Sequence, residues 1–175
     1  NKSAVSKYES EDFCSAQLSS NVHTPFASKL DSVRLDELLG KEGVVSQRQR
    51  ASHLMKLLYG SRTAWPPIAV VISRLASCIT KWRGECDRRL KRLMEFVKSS
   101  GDLVLSGSLS SEDREEAELW VWPDADLAGD KLSTRSTCGF FLEVVGREGG
   151  TSPISWGASK TPATATATAE AETVS

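Results

Sequence analysis

Carboxylates that follow a hydrophobic run are the groups of this sequence best suited to chemistry. Residues 119–122 form the apolar run, and Asp124 and Asp126 come directly after it. Carboxylate oxygens at the end of a strand are suitable ligands for a divalent cation. Glu170 and Glu172 supply two further carboxylates near the C-terminus. These groups would form a metal site only if the fold brings them together.

The composition of the chain limits the classes of protein to which it can belong. The chain has 175 residues, 39% of them hydrophobic and 26% charged, which is typical of a soluble globular protein with one domain, or with one domain plus a smaller helical piece. Its net charge of −1 argues against a general polyanion binder, because nucleic-acid-binding domains usually have a basic excess. The basic residues are concentrated over 81–98.

The four cysteines are scattered, with no CxxC pair and no neighbouring histidine. This spacing argues against a zinc site and a disulfide framework, and it favours reduced thiols in an intracellular, reducing compartment. The longest apolar run, 68–72, is far shorter than the roughly 20 residues that cross a bilayer, so we expect no transmembrane segment. The sequence begins at Asn1, and we expect a fragment, a processed product or part of a longer protein.

Periodicity divides the chain into three regions. Residues 1–45 are polar and serine-rich, which predicts an extended polar arm. In 46–100, Ser46 and Gln49 form a capping box that starts a first helix, and Gly60 is its expected C-cap. A second helix is predicted after Trp65, and a third over about 84–99. The residues expected to face inward are Ala51, Leu54, Met55, Leu58, Ile68, Ile72, Leu75, Ile79, Cys86, Leu90, Leu93, Met94 and Val97.

The third predicted helix has a basic outer face, formed by Arg88, Arg89, Lys91 and Arg92. This face is either a solvated helix surface or a contact for a nucleic-acid backbone.

From residue 101 the periodicity changes to short β-type runs at 103–105, 119–122, 139–145 and 154–156. Gly146, Gly149 and Gly150 predict a hairpin turn between the last two runs. Helices followed by an antiparallel meander define an α+β fold.

The ordered series of segments resembles the C-terminal part of a copia-type LTR retrotransposon polyprotein, where the tail of reverse transcriptase runs into the RNase H domain. The segments that carry the resemblance are 23–25, 54–60, 65–69, 90–94, 124–130, 135–139, 153–156 and 170–172. The resemblance implies a connection-like helical region over 46–100 and a partial RNase H-like domain over 101–175.

Active members of that family cleave the RNA strand of an RNA–DNA hybrid, using two Mg²⁺ ions held by acidic residues. The resemblance implies that Asp124 is the catalytic, metal-binding carboxylate of the first strand and that Glu172 is the one at the start of the first helix. Asp126 and Glu170 are neighbouring motif positions and not expected ligands.

Departures from the family pattern leave other functions open. Pro123, Leu127 and Thr173 replace residue types usual in the family, and its remaining acidic positions fall beyond Ser175. Two carboxylates alone would bind Mg²⁺ weakly, so we expect this chain to be inactive by itself. The alternatives are a non-catalytic structural or accessory subunit of a larger assembly, such as an organellar or photosynthetic complex, and a nucleic-acid-binding remnant without catalysis.

Overall fold

A computed structural model of the chain describes residues 2–11, 18–19, 21–25, 42–103, 105–126 and 136–160. The helices precede a three-stranded antiparallel sheet, which confirms the predicted α+β class. The chain divides into two compact units, residues 1–103 and residues 104–175. We call these the helical unit and the β unit. Within the described residues, no helix is both long and apolar enough to cross a membrane.

The helical unit contains four described α-helices and two 3-10 turns. These are α1 (Lys2–Glu9), α2 (Gln47–Thr63), a 3-10 turn (Pro66–Ile68), α3 (Ala69–Ser77), a 3-10 turn (Ile79–Lys81) and α4 (Gly84–Ser99). One hydrophobic cluster holds them together, and it includes side chains from every one of these α-helices.

Helix α1 corrects the prediction of an extended arm over 1–45. Ala4, Val5 and Tyr8 lie on one helical face and are buried in the core, so this polar segment packs against its neighbours through an apolar face. The Lys7 ammonium donates to the Ser52 hydroxyl at 3.0 Å. Much of the remaining predicted arm lies outside the described residues.

Helix α2 begins as predicted and ends later. The Gln49 N–H donates to the Ser46 hydroxyl and the Ser46 N–H donates to the Gln49 side chain, which confirms the capping box. Gly60 is not the C-cap, because the helix continues to Thr63. The predicted apolar stripe is also wrong at Met55, which is exposed, since Leu57 takes the inward position instead.

Helix α4 has the predicted bounds, Gly84–Ser99, and the expected core residues Cys86, Leu90, Leu93, Met94 and Val97 are all buried. Burying a leucine side chain stabilises a fold by about 1.5–3 kcal/mol, so this face anchors the unit. Phe96 is buried as well, with its ring 6.4 Å from that of Trp65.

The β unit contains a short helix, α5 (Ser111–Glu115), and the strands β1 (Glu118–Asp126), β2 (Thr137–Val145) and β3 (Thr151–Lys160). The strand order is β1-β2-β3 with both pairings antiparallel, which confirms the predicted meander. The outer strands each contain a proline, Pro123 in β1 and Pro153 in β3. The predicted run at 103–105 is wrong, because Leu103 and Leu105 belong to no strand.

The hairpin between β2 and β3 turns at the predicted glycines. The Gly146 N–H donates to the Gly150 carbonyl at 2.7 Å, and Gly149 has a φ of 89° that favours glycine. The buried Asp113 carboxylate of α5 fills the turn and accepts the Glu148 N–H at 2.8 Å and the Ser110 N–H at 3.0 Å. A Cβ at position 146 would collide with Asp113, so this close approach requires glycine.

Candidate functional site

The candidate metal ligand Asp124 lies on β1 with an exposed side chain. Its register partner on β2 is Gly139, and the residue beyond that on β3 is Ala158. Both neighbours are small, so they leave open space beside the carboxylate. Carboxylate oxygens are ligands that hard cations such as Mg²⁺ prefer, and the exposed side chain of Asp124 offers two of them.

The second predicted ligand, Glu172, lies outside the described residues, as do Glu170, Leu127 and Thr173. Asp126 ends β1. Among the described residues, no group of three or more histidine, cysteine, aspartate or glutamate side chains is placed to hold a metal ion. Convergence of Asp124 with Glu172, and binding of Mg²⁺, therefore remain predictions.

An aromatic row lies beside Asp124 on the same face of the sheet. The rings of Trp120 and Trp122 are 5.4 Å apart, and those of Phe141 and Trp156 stack at 6.1 Å. The Trp122 indole N–H donates to a Glu143 carboxylate oxygen at 2.7 Å. Trp120 and Trp122 are 42% and 50% exposed. The aromatic row is therefore apolar surface with an acidic edge.

The opposite face of the sheet is apolar as well. Leu119, Val121 and Phe140 alternate with the aromatic row, and all three are exposed. A sheet with apolar side chains on both faces is typical of the inner layer of a domain, where other elements cover each face.

The predicted basic face of α4 is only partly available. Arg88 is exposed, but its guanidinium lies 2.5 Å from the carboxylate of buried Glu85, and the Arg89 Nε lies 3.2 Å from the same group. Lys91 and Arg92 are half-buried, and the Arg92 Nε is buried without a hydrogen-bond partner. The four cations share one side of the helix, yet Glu85 neutralises part of their charge.

A buried histidine lies where α1 meets α2. The His53 side chain is inaccessible to solvent, its ring is 5.3 Å from that of Tyr8, and its Nε2 is 3.8 Å from a Glu11 carboxylate oxygen. Burial lowers the pKa of His53; Glu11 opposes this, while Lys7 and Lys56 lower the pKa further. The sequence offered no signal for this contact, because His53 and Glu11 are far apart in the chain.

Two cysteines that look scattered in the sequence are neighbours in the fold. Cys78 follows the last residue of α3, and Cys86 lies in the first turn of α4. A hydrogen bond in which the Cys86 thiol donates to Cys78, together with burial, raises the pKa of the Cys86 thiol. Spacing alone gave no zinc or redox motif, so only the packing of α3 against α4 reveals this thiol pair.

Comparison of the chain with protein-family models, with curated proteins and with solved structures finds no match. The resemblance to retroelement polyproteins therefore stays a prediction, and function has to be argued from the residues described above.

Proposed function

We propose that residues 104–175 belong to an RNase H-like domain of copia-type retroelement descent, whose ancestral reaction is Mg²⁺-dependent cleavage of RNA in RNA–DNA hybrids. The observation that supports this most directly is the position of Asp124. It is an exposed carboxylate on the first strand of a β1-β2-β3 antiparallel meander, and this meander follows a helical region in chain order.

The two apolar faces of the sheet support the same proposal. The exposed side chains Trp120 and Trp122 lie on one face, and Leu119 and Val121 lie on the other. In a layered fold, a sheet that is apolar on both faces is covered by other elements on each side. The pattern of β1 is compatible with a sheet inside such a domain.

In this proposal, Asp124 and Glu172 would hold the metal. When bound, Mg²⁺ supplies an activated water and stabilises the leaving oxygen of the phosphodiester. The register neighbours of Asp124, Gly139 and Ala158, place no large side chain next to this carboxylate. The proposal assigns metal-dependent binding of the hybrid to this chain. Cleavage requires further acidic ligands, because two carboxylates alone bind Mg²⁺ weakly.

A binding experiment tests the role of Asp124. The anisotropy of a labelled RNA–DNA hybrid is measured with the chain in Mg²⁺ and, separately, in a chelator. We expect Asp124→Asn to lose the metal-dependent part of the affinity and to match the unaltered chain in the chelator. Asp102→Asn, which changes an exposed carboxylate outside the sheet, is the matched control and should bind like the unaltered chain.

The proposal fails if Asp124→Asn and Asp102→Asn respond identically to the metal. A cleavage assay on the same hybrid gives an independent check. Any cleavage that survives Asp124→Asn would rule out a catalytic site at this position.

A second candidate function is a non-catalytic structural or accessory subunit of a larger assembly. The exposed apolar side chains on both faces of the sheet favour it, because such surfaces mark contacts with other protein elements. The solution mass of the purified chain tests this candidate. A well-folded lone monomer that stays soluble at high concentration would count against it.

A further inference from the structure

The two exposed indoles of the aromatic row are each held by a carboxylate. The Trp120 indole N–H donates to a Glu118 carboxylate oxygen at 2.9 Å, and the Trp122 indole N–H donates to a Glu143 carboxylate oxygen at 2.7 Å. Both rings remain exposed. The hydrogen bonds fix the orientation of the rings, so this surface is ordered before any partner binds.

The face of the sheet that carries the row is acidic. Glu118 and Asp124 are exposed on β1, and Glu143 is half-buried on β2 opposite Trp120. The described side chains of the three strands include no lysine or arginine. A cationic partner would therefore complement this face, whereas a nucleic-acid strand lying along it would be repelled unless a metal ion bridged the charges.

Arginine matches both parts of the surface. Its planar guanidinium stacks on an indole ring and is attracted by the π electrons, and the same group can donate to a carboxylate. Donation from an indole N–H to a carboxylate makes the ring face more negative, which strengthens that attraction. A carboxylate has about four acceptor sites, so Glu118 and Glu143 can hold their indoles and still accept a guanidinium.

We propose that the aromatic row, with Glu118 and Glu143, binds an extended segment of a partner protein that has arginine at alternate positions. Every second side chain of an extended segment lies on the same side, about 6.6 Å apart. The rings of Trp120 and Trp122 are 5.4 Å apart, so successive arginines can reach successive rings. The site needs neither a metal nor Asp124, so it goes beyond the proposed nuclease function. It names the kind of partner that the second candidate function requires.

A pair of peptides tests the proposal on the whole chain. The anisotropy of a short, dye-labelled peptide of alternating arginine and serine is measured in a chelator. The matched peptide has lysine in place of arginine, which keeps the charge but removes the planar group. We expect the arginine peptide to bind about five-fold more tightly than the lysine peptide, and its affinity to fall as salt screens the carboxylates.

Variants on the two faces of β1 locate the site. Trp122→Leu should weaken binding of the arginine peptide about five-fold, because it removes one stacking surface. Glu143→Gln should weaken it as well and make it less sensitive to salt, because it removes a negative charge. Val121→Ser changes an exposed residue on the opposite face of the same strand, so it is the matched control and should bind like the unaltered chain.

Indole NMR signals give a readout that needs no variant. The chain has five tryptophans. The arginine peptide should shift the indole N–H signals of Trp120 and Trp122 and leave those of the buried Trp65 and Trp82 in place.

Three results would overturn the proposal. These are equal binding of the lysine and arginine peptides, equal binding of the arginine peptide by Trp122→Leu and Val121→Ser, and a shift of the same indole signals by a neutral oligosaccharide or single-stranded DNA but not by the arginine peptide. None of them bears on the nuclease proposal, because that is tested by the metal-dependent part of hybrid binding and these measurements exclude metal.

Discussion

Acidification should destabilise the helical unit through His53. The side chain is fully buried, and this burial lowers its pKa below the ordinary value of about 6.5. Between the folded and unfolded pKa values, the unfolded chain binds more protons, so the free energy of unfolding rises with pH. The contribution of His53 is fully present above about pH 6.5 and is lost as the pH falls from there towards the folded pKa.

The size of this effect has an upper limit set by one proton. For a histidine that stays neutral in the folded state, the free energy of unfolding falls by about 1.4 kcal/mol between pH 7.5 and pH 5.5. This is a tenfold change in the unfolding equilibrium. The Glu11 carboxylate, 3.8 Å from Nε2, reduces the loss because it stabilises the protonated ring. Lys7 and Lys56 act in the opposite direction.

Urea unfolding at several pH values measures the effect, and the chain supplies its own control because it has only two histidines. His23 is exposed, so His23→Gln should keep the pH dependence of the unaltered chain, whereas His53→Gln should flatten it between pH 7.5 and 5.5. An NMR titration of the unaltered chain gives a second readout. Parallel curves for the unaltered chain and His53→Gln, or a folded pKa at or above 6.5, would refute the reasoning.

Two further predictions concern buried carboxylates. Asp113→Asn should lower the thermal midpoint of the β unit, because the amide cannot replace a carboxylate that accepts several backbone N–H groups; Glu112→Gln, at an exposed neighbour, should not. These hydrogen bonds also lower the pKa of Asp113, so its stabilisation should persist above the ordinary carboxyl pKa and disappear as the pH falls through the folded value. Glu85→Gln should cost about 1–2 kcal/mol of stability and steepen the salt dependence of hybrid binding, because it frees two arginines. An unchanged salt slope would show that this face does not contact nucleic acid.

The sequence predicted those elements whose signals are local. The spacing of Leu90, Leu93 and Val97 is enough to define the buried face of α4, and the capping box at Ser46 defines the start of α2. The glycines at 146, 149 and 150 likewise identify the hairpin, because only glycine tolerates that turn and the close approach of Asp113.

Features that depend on tertiary contacts were not predictable in this way. Helix α1 contains too few apolar residues for composition to reveal it, and only its neighbours make Tyr8 a core residue. The contact of His53 with Glu11 and that of Cys78 with Cys86 each join residues from different elements. For the proposed metal site, the sequence predicted a strand that ends before Asp124, whereas β1 continues through it. The second proposed ligand, Glu172, lies outside the described residues.

The prolines of the two outer strands affect how the β unit meets other chains. A proline has no N–H to donate, so Pro123 in β1 and Pro153 in β3 each interrupt the ladder that a stray strand would need for edge-to-edge addition. The central strand β2, which bonds on both sides, has no proline. Within the described residues, each outer strand therefore lacks one N–H group that an added strand would use, and the exposed apolar side chains lie on the two faces of the sheet.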